Sequence, residues 1–86
     1  MKGKTQKSSN IVHQYFKKDI GNAKILVKVN PLTFSGIEIS VGANEEVEIR
    51  EMEFDSEIFE DLQADDFKET SAIEFNLYFS GLAGKY

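Results

Sequence analysis

From Ala23 to Val41 the chain reads AKILVKVNPLTFSGIEISV, and no other stretch narrows the choice of fold as much. Ile25, Val27 and Val29 alternate with Lys24, Lys28 and Asn30. Ile37, Ile39 and Val41 alternate with Glu38 and Ser40. A period of two sends successive side chains to opposite sides of the backbone, so both runs read as half-buried strands. Between them, Asn30-Pro31 and Ser35-Gly36 supply turn residues.

The remaining segments are placed against this pair. NIVHQYF, residues 10 to 16, is rich in β-branched and aromatic residues and reads as a preceding strand. Lys17, Lys18 and Asp19 close it, and Gly21-Asn22 makes a hairpin connection into the central run. After the turn at Gly42-Ala43-Asn44 a fourth strand alternates through Val47 and Ile49, then resumes at Met52 and Phe54 with the opposite parity. A one-residue slip turns every later side chain over, so a bulge is expected at or beside Arg50-Glu51. Asp55-Ser56 starts a short helix with Ile58, Phe59 and Leu62 on one face, ending near Ala64-Asp65-Asp66.

Residues 71 to 83 carry two competing patterns. Ile73, Phe75, Leu77 and Phe79 alternate as in a strand, whereas Ser71 and Glu74 have the spacing of a capping box. Ala72, Phe75, Phe79 and Leu82 form a helical stripe with Gly84 as its stop, and helix is the favoured reading. The expected fold is α+β: a four-stranded, mostly antiparallel sheet with its C-terminal helices packed on one face.

With 86 residues there is room for one core, and without cysteine neither a disulfide nor a thiolate metal site can reinforce it. The division expected is a flexible basic tail over residues 1 to 9 and a single domain over residues 10 to 86. Lys2, Lys4 and Lys7 are not followed by an apolar stretch, so the start does not read as a secretory signal. No apolar run approaches the roughly 18 residues of a membrane span. A cytoplasmic protein without a membrane partner is expected.

Charge is unevenly distributed. Residues 1 to 28 hold seven lysines against Asp19, a balance of +6. Residues 29 to 86 hold Arg50, Lys68 and Lys85 against fourteen carboxylates, a balance of −11. The basic half contains aromatic residues: Tyr15 and Phe16 stand beside Lys17 and Lys18, near Lys24 and Lys28 of the next strand. Sheet-face aromatics interleaved with cations are one way small folds stack single-stranded RNA. Tyr15, Lys17, Lys18, Lys24 and Lys28 are therefore the candidate nucleic-acid contacts. The acidic half is the alternative, as a surface for another protein.

Catalytic chemistry is weakly signalled. His13 is the single histidine, with no sequence-nominated partner to orient it. Glu57, Glu60 and Asp61 share a helix face, but the spacing of a calcium-binding loop is absent, so a solvated acidic face is expected. No phosphate-binding glycine motif is present. The expectation is a non-enzymatic domain with no metal or cofactor.

The order of these features resembles the fourth domain of the translational GTPase elongation factor G. His13 and Tyr15 stand for its H-x-Y pattern before a tip loop, followed by Gly21, the run from Ala23 to Val29 ending at Pro31, and the run from Gly36 to Ile39. Thr70-Ser71-Ala72-Ile73-Glu74-Phe75 stands where that domain opens a helix. The likeness spans roughly residues 10 to 83. It implies an α+β fold and, through inheritance, contact with the ribosome or RNA. The tip loop is reduced here to Lys17 through Asn22, and there is no GTPase domain, so the resemblance implies a reduced relative that keeps the fold and not a translocase.

Overall fold

Leu26 and Val27, consecutive in the sequence, are 0% and 3% exposed. Neighbouring residues of a strand point to opposite faces, so the strand that carries them is covered on both sides. A computed structural model describes residues 12–80 and gives the order β1 (Gln14–Ile20), β2 (Ala23–Val29), β3 (Ser35–Val41), β4 (Val47–Glu53), α1 (Ile58–Ala64), β5 (Lys68–Glu69) and α2 (Ala72–Phe79). The sheet runs β4-β3-β2-β1-β5, with each neighbouring pair antiparallel. The tail over residues 1 to 9, and Leu82 and Gly84 of the C-terminal stripe, lie outside the described residues.

The α+β class is as expected, and two details change. Among the described residues the sheet has five strands instead of four. The fifth, β5, is two charged residues that pair Phe16 with Glu69 and Lys17 with Lys68, too short to leave any periodicity in the sequence. The helices, expected on one face, take opposite ones. On the first face Leu26, Ile39 and Val41 enclose Phe75 of α2. On the second, Val27 and Val29 pack on Ile58 and Leu62 of α1, with Phe16, Phe34, Phe54, Phe59 and Phe67 around them. The chain leaves α1, runs along the outer side of β1 as β5, and so turns round the sheet edge before α2 begins. Each buried side chain contributes about 1.5–3 kcal/mol of transfer free energy, here divided between two thin cores.

Strand β4 corrects the expected bulge. Its register with β3 is unbroken from Val41 opposite Val47 to Ser35 opposite Glu53. Val47 packs on the first face, while Phe54, just past the strand, packs on the second. The change of parity needs no extra residue because both faces of the sheet accept apolar groups.

The hairpins follow from local chemistry. β1 continues through Lys17, Lys18 and Asp19, which were expected to end it, and turns at Gly21-Asn22 with Ile20 opposite Ala23. Gly21 has φ +62, a conformation that glycine adopts without a Cβ penalty. Between β2 and β3, Asn30 Oδ1 accepts the Leu32 and Thr33 amides at 2.8 and 3.3 Å, while the Asn30 amide donates to the Ser35 carbonyl at 2.8 Å. Ser71 Oγ accepts the Glu74 amide at 3.1 Å and caps α2, so helix prevails over strand in this segment.

Candidate functional site

Register sorts the candidate residues. Tyr15 lies opposite Lys28, Lys17 opposite Leu26, and Asp19 opposite Lys24, which puts Tyr15, Lys17, Lys24 and Lys28 on the first face. Lys18 lies opposite Ile25 and belongs to the second face, its Nζ 5.9 Å from the centre of the Phe67 ring. Four of the five candidates are thus gathered and one is separated.

The gathered lysines are largely engaged within the molecule. Lys17 Nζ stands 3.1 Å from Glu74 Oε2, and Lys24 Nζ stands 4.0 Å from the same oxygen. Lys24 also donates to the Tyr78 hydroxyl at 3.4 Å, with its Nζ 5.4 Å from that ring. Lys28 Nζ lies 6.0 Å from the centre of Tyr15, whose ring meets Phe75 at 5.4 Å. Tyr15 is therefore a wall of the first-face core, with less ring surface free for a stacked base.

Glu74 is the residue that sequence reasoning did not assign to this group. Its amide completes half of the capping box, but its carboxylate accepts from Thr70 Oγ1 and Lys17. The Thr70 hydrogen bond holds the Glu74 carboxyl below the usual carboxylate range; burial works against this, and Lys17 and Lys24 add to it. For Lys24 burial disfavours the charge, yet the Tyr78 hydroxyl, Asp19 and Glu74 together raise its pKa. The S-x-x-E spacing was visible in the sequence; a partner 57 residues away was not.

One concavity adjoins Lys28 on the first face, and another lies across the sheet on the second. In the first, of about 460 Å³, His13, Lys28 and Asn30 stand toward one side and Glu51 and Glu53 toward the other. Burial and then the Lys28 charge push the His13 pKa below its ordinary value, which favours the neutral ring. β1 and β4 are three strand spacings apart, about 14 Å, a separation that does not make a hydrogen-bonded histidine–carboxylate couple of backbone neighbours. The other concavity, about 480 Å³, lies beside α1 and is lined by Phe16, Pro31, Phe59 and Phe67.

The carboxylates are arranged differently from the lysines. Glu48, Glu51 and Glu53 of β4 and Glu57, Glu60 and Asp61 around α1 are exposed. Arg50 Nε lies 3.9 Å from Glu38 Oε1 across the β3–β4 ladder. Among the described residues no group of three or more histidine, cysteine or acidic side chains is disposed to hold a metal ion, and no helix is long and apolar enough to cross a membrane. Comparison with family models, curated proteins and solved structures returned no match.

Proposed function

We propose that this chain is a small non-enzymatic binding domain that works as a protein-interaction module through its acidic C-terminal half. The observation that supports this is the asymmetry of charge use: Lys17 and Lys24 turn onto Glu74, whereas the carboxylates of β4 and α1 remain in solvent. Exposed charge of one sign gives fast, oriented encounter with a partner of the other sign. A cationic polypeptide is accordingly the expected class of partner. Titration of the full chain with a lysine-rich polypeptide and with structured RNA, each at low and high salt, tests the reading. Binding of the polypeptide that weakens with salt is expected; its absence at low salt would refute the proposal.

RNA or ribosome contact is the second reading, favoured by Lys28 and Tyr15 on the first face and by the likeness to the fourth domain of elongation factor G. Replacing Lys17 and Lys18 by glutamine separates the two. A lower thermal midpoint with any RNA affinity unchanged places the lysines within the fold. A flatter salt dependence, by up to about 0.7 to 0.9 of a slope unit per lost phosphate contact, is the signature of an RNA surface.

A further inference from the structure

Among the described residues, strand β4 is outermost in the sheet along its whole length and pairs only with β3. In an antiparallel ladder the backbone groups of alternate residues point away from the neighbour, so β4 presents a row of amides and carbonyls outward. The strand contains no proline and its ladder is regular through Val47–Glu53. Ile49 is 44% exposed, although its cross-strand partner Ile39 is 0% exposed. The apolar row that crosses the first face thus ends one strand short of being covered.

The side chains along this edge specify what covers it. Register sets Val47, Ile49, Glu51 and Glu53 on the first face and Glu48, Arg50 and Met52 on the second. Glu48, Glu51 and Glu53 are exposed, Glu45, Glu46 and Asp55 flank the strand with the same sign, and the cation Arg50 is directed to Glu38. Two such edges brought together carry like charge, which disfavours a second copy of this chain. A strand with lysine or arginine opposite the glutamates and an apolar residue opposite Ile49 meets both the charge and the exposed side chain, since cross-strand neighbours lie about 4.5–5.5 Å apart.

We propose that β4 accepts an extended basic segment of another protein as a sixth strand, with a β-branched apolar residue opposite Ile49 and lysine or arginine opposite Glu48, Glu51 and Glu53. Main-chain hydrogen bonds supply attachment, and the alternating side chains supply selectivity. This rests on the reading of the acidic half as a protein-interaction surface and names its mode.

The test uses the full chain and a ten-residue peptide containing Lys-Val-Lys-Thr-Val-Lys-Val, which, antiparallel to β4, sets lysines opposite Glu53, Glu51 and Glu48 and a valine opposite Ile49. A peptide of equal charge with proline in place of each valine, which cannot extend a ladder, is the control. Amide hydrogen exchange is followed by NMR. The expected result is at least tenfold slower exchange at alternate residues of Val47–Glu53 with the first peptide and not with the control. At least tenfold weaker binding is expected for the exposed-site variant Glu51→Lys, Glu53→Lys, whose fold is checked by its amide spectrum. Equal binding of both peptides, or protection located elsewhere, would overturn strand addition while leaving an acidic interaction surface in place. Slow exchange of the outward β4 amides before any peptide is added would assign the edge to a second copy or to the chain's own basic segment, and would overturn the proposal. Failure of both peptides to bind at low salt would remove the acidic-surface reading as well.

Discussion

Glu74 ties the start of α2 to β1: its amide is capped by Ser71, and its carboxylate meets Thr70 and Lys17. Because its folded pKa lies below the unfolded value, the carboxylate contributes stability above the unfolded pKa of about 4.3, and loses it as pH falls through the lowered folded value. Glu74→Gln should therefore cost less than about 1 kcal/mol near pH 7 and nothing at acidic pH, since this pair is partly solvent-screened. Thermal midpoints of the two proteins that converge as pH falls below the unfolded value would bear this out; parallel curves would not. Gly36 is constrained by space. A Cβ there would collide with the Lys28 carbonyl oxygen and stand 2.8 Å from the Phe54 ring. Gly36→Ala should destabilise by about 1–3 kcal/mol in urea denaturation, as overpacking does. The sequence made the Asn30 turn and the Ser71 cap readable because each acts within three residues. It did not make the Lys17–Glu74 pair readable, because only the sheet edge brings those residues together.

Among the elements, β2 and β4 show where periodicity informs and where it misleads. The alternation of Ile25, Val27 and Val29 identified a strand, but took one face as core and passed over Leu26, which is equally buried on the other. The same assumption turned the parity change in β4 into an expected bulge, whereas a sheet covered on both sides admits apolar residues of either parity. α2 was legible from its cap and stripe, and α1 from its stripe alone, since it begins after Glu57 without a side-chain cap and not at Asp55-Ser56. β5 was not legible, since two residues define no period. The cross-strand pair Ile39 and Ile49 tests this account of the faces. Ile39→Ala should cost about 2–5 kcal/mol and Ile49→Ala less than about 1 kcal/mol, because one leaves a cavity and the other shortens an exposed side chain. Equal losses in urea denaturation would mean that β4 is covered in solution. The four candidate lysines and Tyr15 were legible as a basic, aromatic group, but the division between faces follows from where β1 begins and stays hidden until register is known.

For the whole molecule, the sheet separates two cores that share the backbone of β2. Loss of either core exposes one side of the same strand, so the domain should unfold as one unit. Leu62→Ala and Phe75→Ala, one on each face, should each lower the thermal midpoint of a single transition, by roughly 4–8 °C per kcal/mol for a chain of this size. Near- and far-ultraviolet circular dichroism should give coincident curves for both; separated curves would show that one face melts alone. The placement of β5 also sets an order of assembly in time. β1 to β4 are joined by consecutive hairpins, whereas α2 reaches the first face only after the chain has passed through α1 and round the edge as β5. Local pairings close faster than distant ones, so Phe75 should dock after the folding transition state. Phe75→Ala would then leave the refolding rate nearly unchanged and accelerate unfolding, which stopped-flow measurement can resolve. A nascent chain that ends before Lys68 has the Leu26, Ile39 and Val41 side of its sheet still waiting for Phe75, a hydrophobic surface that exists only while the protein is being made.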